Sequence, residues 1–275
     1  MVIILPKEHL VVWFCSLHNK PDNYLKGIIN IALKGLDDAP QPKSKTPARW
    51  IVVKCNRQKG STECGYYVMH WMSTIILGNF RNNWEAYFND PRPLKPERLK
   101  ALRIQWAQYY LRGAVGLAKP AYRPDHEVDD PLCLMTLTIP QLFLKPLQVM
   151  WDATLFGLFN ENFPLYIKHE DLSEIAHGGQ CLNISVIQLW ILHMTETSMR
   201  AGNIDVCGFL EPQSIQRSGQ SQFESENNYL KGIINSVLKR LDDTQQSKSK
   251  PPARWIVIKC NRKKGSTECG YYVMH

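Results

Sequence analysis

The sequence predicts an α+β fold, and three observations lead there. Short β-branched or aromatic runs cluster at residues 2–5 (VIIL), 10–14 (LVVWF) and 49–54 (RWIVVK), the pattern of strands. From Tyr66 onward, Tyr67, Val68, Trp71, Met72, Ile75 and Ile76 recur at helical spacing. Residues 97–111 and 184–202 carry the same helical period.

Taken in order, residues 2–5 and 10–14 read as two buried, adjacent strands separated by a turn at 6–8, with Cys15 ending the second. Leu25, Ile28, Ile29, Leu33 and Leu36 share one face of a helix over 24–36, and a loop rich in Pro, Lys and Ser runs on to residue 47. The strand at 49–54 is read as buried, and the next helix stops at Gly78. Trp84, Tyr87 and Phe88 follow, then a proline-rich break at 91–96. The 97–111 helix turns Leu99, Leu102, Trp106 and Tyr110 inward, so these aromatics are core and not a platform for stacking bases. Residues 112–131 hold three prolines and no sustained period, and are read as a linker. In residues 132–226, LCLMTLTIPQLFL reads as a strand or irregular apolar segment broken by Pro140. FPLYIKHEDLSEIAHGG reads as a short amphipathic helix ended by glycines, and 184–202 as a deeply buried helix. His169, His177 and His193 are read as packed or capping histidines.

With 275 residues and 44% hydrophobic content, the chain can bury a sizeable core. Its net charge of +8 is spread along the sequence, without the dense basic stripe of a nucleic-acid reader. The eight cysteines form no C-x-x-C pair and have no histidines at zinc-ligand spacing, so no structural metal and no cofactor is expected. No run of 18 apolar residues occurs, and the N-terminus lacks the features of a secretory signal, so a reducing intracellular compartment and no membrane partner are expected.

The chemistry centres on residues 58–78. Cys64 falls where a loop becomes a helix, and there the positive end of the helix dipole stabilises a thiolate. The competing reading is a cysteine that only packs. Gly65 permits close backbone approach by a substrate, and Gln58 carries an amide able to donate to a developing oxyanion.

The set Gln58, Glu63, Cys64 and Gly65 resembles the Q-x5-C-G signature of the Ulp1-type cysteine peptidases, which release SUMO-like proteins from their conjugates. The likeness is greatest to divergent copies carried by plant mobile elements. It implies a papain-like core, in which a central helix carries the cysteine against a small sheet. It also implies Cys64 as nucleophile, Gln58 as oxyanion donor, a ubiquitin-like protein or its conjugate as partner, and a nuclear or cytoplasmic location. Residues 1–111 correspond to the closing part of such a domain. Residues 132–226 resemble its opening part, which would make the chain a crude circular permutation whose two segments pack together across the linker.

That family also needs a histidine, leading an H-W pair in one strand, and an aspartate in a D-S-L step of the next. Here Ser16 and Leu17 are present, but Cys15 occupies the position of the aspartate. The histidine is expected just upstream of Met1. His9, His18 and His70 do not match its position. His18 is the nearest substitute, leaving the sheet beside Cys15, whereas His70 is rotated away from Cys64 by its helical offset.

Residues 23–70 and 228–275 align without a gap and share 39 of 48 positions, which points to recent duplication and a deletion near residue 227. Lys263 replaces Gln58 in the second copy. Cys269 matches Cys64 but is followed by only six residues, too few to build a stable helix, so it is not expected to react. The second copy is expected to have no place of its own and to be loosely held. Three readings stay open: a Ulp1-type peptidase, a non-catalytic relative binding a ubiquitin-like protein around Trp71 and the 58–64 loop, and a rearranged gene fragment.

Overall fold

A computed structural model of the chain describes residues 1–5, 8–34, 47–78, 80, 82–114, 130–138, 146–152, 162–201, 207–210, 254–257, 260–261 and 272–273. Strands β1 (Val2–Leu5) and β2 (Leu10–Trp13) pair antiparallel, with Val2 opposite Trp13 and Leu5 opposite Leu10. All eight residues are buried, as continuous apolar runs demand. Helix α1 (Asn23–Lys34) then carries the chain over the sheet. Asp22 caps it, its Oδ1 accepting the Leu25 N–H at 2.7 Å, and Leu25, Ile29 and Leu33 form its buried stripe. The crossover ends in β3 (Arg49–Val52), parallel to β2.

The buried strand expected at 49–54 is corrected in two respects. It ends at Val52, and it lies at the edge of the sheet with Arg49 and Val52 exposed. Its apolar composition announces a strand, while burial depends on whether a further strand or helix covers it.

The sheet has five strands in the order β3-β2-β1-β7-β6, completed by β6 (Cys207–Leu210) and β7 (Arg254–Val257). The expectation that the second copy has no place is therefore corrected at Arg254–Val257. This segment pairs antiparallel with β1 and parallel with β6. An unpaired β1 edge offers a row of backbone donors and acceptors, and a β-forming segment satisfies them. The RWIV of β7 meets β6 as the RWIV of β3 meets β2, with Cys207 opposite Arg254 where Leu10 is opposite Arg49. Two minor strands, β8 (Cys260–Asn261) and β9 (Tyr272–Val273), pair with each other.

Helix α2 (Cys64–Leu77) and the single turn α3 (Trp84–Tyr87) pack through Trp71 and Trp84 on Phe14, just after β2, and α4 (Pro96–Ala114) packs on α2. Helix α4 runs three residues past 111, into the stretch read as linker, and residues 115–129 fall outside the description. The segment after it is also corrected. Residues 131–138 are a helix, α5 (Pro131–Thr138), and not a strand. Proline at the first helical position and Asp130 Oδ1 accepting the Leu132 N–H at 3.0 Å start it, and Leu132 and Met135 bury one face. Residues 139–145, with Pro140, lie outside the described residues.

A hairpin of β4 (Leu147–Asp152) and β5 (Asn162–Ile167) follows, which replaces the first part of the helix expected at 163–179. The helical part is α6 (His169–His177), started by the Lys168 N–H on Asp171 Oδ2 at 2.7 Å and closed by Gly178. Helix α7 (Ile184–Arg200) is buried over its first turns, as its apolar run requires.

One hydrophobic core joins residues from β1, β2, α2 and α4 to residues from α5, α6 and α7. The contacts anticipated between the 184–202 helix and the first segment are made. Trp106 Nε1 donates to Val186 O at 2.9 Å, Ser73 Oγ lies 3.7 Å from Met194 Sδ, and Tyr109 donates to Glu196 at 2.7 Å. Phe14, Trp71, Trp84 and Phe88 form an aromatic cluster between β2, α2 and α3. Trp71 is 1% exposed, so the partner surface expected around it is corrected: this indole is core. Among the described residues, no helix is long and apolar enough to cross a membrane.

Candidate active site

The loop leading from β3 to α2 is tied down on both sides. The Gln58 N–H donates to Ser16 O at 3.0 Å, extending the β2–β3 pairing past the strand ends, and the Arg57 N–H donates to Pro91 O at 3.2 Å. The Tyr67 hydroxyl donates to Arg57 O and accepts the Leu94 N–H at 3.0 Å, bracing the same loop against the connection to α4. Gln58 is 6% exposed. Its Oε1 accepts from Ser16 Oγ at 2.6 Å, and its Nε2 donates to Gly60 O at 2.5 Å. Because a carbonyl only accepts, the contact with Gly60 fixes which end of the amide is nitrogen. One amide hydrogen is thereby used, and the second remains for another acceptor.

Cys64 is the first residue of α2, a 14-residue helix whose buried face runs from Cys64 to Ile76. The loop-to-helix placement expected of it holds in the structure. The cysteine is 7% exposed, and the next residue, Gly65, is pressed against the loop before α7: a Cβ there would lie 2.9 Å from the Leu182 side chain. Tyr66 donates to Glu174 O at 3.2 Å, so the start of α2 is enclosed by α6 and the 178–183 loop.

Other cysteines of the first segment differ in kind. Cys55 is 1% exposed, and burial pushes its thiol up to about 12, which leaves it inert as a nucleophile. Its Sγ–H points at Cys15 O, 3.6 Å away. Cys15 is buried, and its sulfur accepts the Asn19 N–H at 3.4 Å.

Among the described histidines, His18, His70, His177 and His193 each have a structural partner. His70 is held on α4 with Nδ1 accepting from Arg98 Nε at 3.1 Å, and burial together with that cation lowers it to about 4. A group so acidic cannot take a thiol proton near neutral pH. His193 meets Gln105 Nε2 at 3.1 Å and packs on Tyr109 and Trp190, and burial and two arginines likewise hold it at about 4. His177 sits in the last turn of α6 against Ser173. His18, with a left-handed φ of 60°, directs Nε2 to Cys55 O at 2.7 Å. Since that carbonyl accepts, Nε2 carries the hydrogen and Nδ1 is the basic atom.

Two features escaped the sequence reading. Ser16 holds the Gln58 amide across 42 residues of chain, a non-local pairing that no local pattern announces. Glu174 lies beside Tyr66, and its Oε2 accepts the Asn183 N–H at 2.7 Å, joining α6 to the start of α7. Burial, with Asp171 and Glu170 adding like charge, raises its carboxyl to about 7 despite that hydrogen bond. The unfolded chain loses this proton at a lower pH than the folded one, so folded stability falls as pH rises from about 4.5 to about 7. Glu174→Gln keeps an acceptor for Asn183 and removes the charge. The variant is expected to match the parent near pH 4 and exceed it above pH 7 by about 1–2 kcal/mol, after allowance for solvent screening of a half-buried group. Urea unfolding at both pH values measures it.

Cys269 and Lys263 lie outside the described residues. Among the described residues, no group of three His, Cys, Asp or Glu side chains is placed to hold a metal ion. Compared with family models, curated proteins and solved structures, the chain matches none.

Proposed function

We propose that the chain is a Ulp1-type cysteine peptidase relative that engages the C-terminal tail of a ubiquitin-like protein at Cys64, with hydrolysis impaired by Cys15 at the family's aspartate position. The observation that carries this reading is the position of Cys64: first residue of a buried helix that packs on Phe14, after a loop whose Gln58 is fixed by Ser16 and Gly60. In the proposed step the Cys64 thiolate attacks the terminal carbonyl of the tail. The second hydrogen of the Gln58 amide donates to the oxygen that becomes negative. With Cys15 in place of the carboxylate that would orient a base, the leaving amine is protonated slowly as the C–N bond breaks, so acylation by an amide conjugate is slow, while a tail carrying an electrophile is still captured.

A SUMO-type probe carrying a C-terminal electrophile tests this. Expected is a covalent adduct on Cys64, absent in Cys64→Ala and formed about 10²-fold or more slowly in Gln58→Ala. Intact-mass spectrometry with peptide mapping reads it. Reversible binding without an adduct would replace this reading with a non-catalytic binder, and neither adduct nor binding would leave the fragment reading.

A further inference from the structure

We propose that Cys64 and Cys181 are a redox pair, and that a hydroperoxide closes a disulfide between them at the N-terminal ends of α2 and α7. The location follows from where these helices touch. The Cβ position of Gly65 lies 2.9 Å from Leu182 Cβ, and further along Ser73 Oγ lies 3.7 Å from Met194 Sδ. Going up α2 from Gly65 to Ser73 is thus going up the second segment from Leu182 to Met194. The helices run parallel, and their N-terminal ends lie side by side. Cys64 immediately precedes Gly65 and Cys181 immediately precedes Leu182, so both cysteines come to that shared end. The approach of 2.9 Å keeps the Cα atoms of Gly65 and Leu182 within about 6 Å, so the residues preceding them start from adjoining backbone.

The two thiols divide the work. Cys64, the first residue of α2 and 7% exposed, is the sulfur held on the helix end. Cys181 is partly exposed, on a loop that leaves α6 through Gly178 and Gly179 at φ of 71° and 77°. Glycine backbones there give the loop latitude to adjust as a bond forms. In the first step the Cys64 sulfur attacks the peroxide: an S–O bond forms, the O–O bond breaks, and water or an alcohol leaves. In the second the Cys181 sulfur attacks Cys64. The S–S bond forms, the S–O bond breaks, and hydroxide leaves as water with the proton of Cys181. The two thiols give up two electrons and the hydroperoxide takes them. Cys55, sealed in the core, stays out of the exchange.

This inference needs only the placement of the thiols and does not rest on the peptidase reading. If both hold, oxidation also hides the nucleophile. The full chain is treated with hydrogen peroxide, blocked with N-ethylmaleimide and digested without reductant for mass spectrometry. Expected is a peptide joining Cys64 to Cys181, with both thiols returned to alkylation by dithiothreitol. In Cys181→Ser, Cys64 is expected to be trapped by dimedone as the sulfenic acid. Cys64 joined to any other cysteine, both thiols still alkylated separately after peroxide, or no dimedone adduct in the variant would each overturn the proposal. The probe adduct of the preceding subsection is scored on reduced protein, so either result can fail without the other.

Discussion

Trp106→Ala is expected to lower the unfolding free energy by about 3–5 kcal/mol, a large part of the stability of an ordinary domain. This indole is fully buried on α4, stacks on Tyr110 with centroids 5.5 Å apart, and donates Nε1–H to Val186 O at 2.9 Å. It therefore joins the first segment of the chain to the first turn of α7 by both packing and a buried hydrogen bond. Trp106→Phe separates these contributions. It keeps much of the volume and removes only the indole bond to Val186 O, whose carbonyl stays in the α7 ladder, so about 0.5–1.5 kcal/mol is expected. Urea unfolding followed by circular dichroism measures both. A loss below 1 kcal/mol for the alanine variant would mean that the two segments are not held together through this face.

Arg103→Ala is expected to cost about 2–4 kcal/mol, the worth of charge-assisted hydrogen bonds to a helix end. The guanidinium reaches from α4 to the last turn of α6, where Nε donates to Ile175 O at 2.6 Å and an Nη donates to Ala176 O. These carbonyls have no partner within their own helix, and a cation there also meets the negative end of its dipole. The side chain lies on Gly178, where a Cβ would come within 2.9 Å of it. Arg103→Lys is expected to recover less than half the loss, because a single ammonium cannot reproduce the planar fork. Hydrogen exchange should rise first in α6 and the 178–183 loop. Since that loop presses Leu182 on Gly65, capture of Cys64 by the probe should also slow.

How much of this was legible beforehand depended on how local each determinant is. Helices α2, α4 and α7 repeat their apolar residues over three or more turns, and β1 and β2 are unbroken apolar runs, so each announced itself. Cys64 at a helix start was legible for the same reason. The short elements were not. In α5 only the flanking Asp130 and Pro131 distinguish a helix from a strand, and the residues between them suit either. In β5 a strand runs directly into α6, and the helical period of the second hid the alternation of the first. The edge position of β3 and the anchoring of Gln58 by Ser16 depend on what distant chain supplies, which no window of neighbouring residues contains.

The same four letters, RWIV, fill β3 at the margin of the sheet and β7 in its interior, each in the same parallel register with its neighbour. Nothing within the tetrapeptide tells the growing sheet which one has arrived. What distinguishes them is how much chain must be looped to bring each to β2, a few dozen residues for β3 and over two hundred for β7. Loop-closure entropy then favours the nearer claimant by only about 1.5–2 kcal/mol. A molecule that carries its own understudy for a strand is therefore expected to refold in two phases, the slower one belonging to the minority that was threaded with the wrong twin and had to let go.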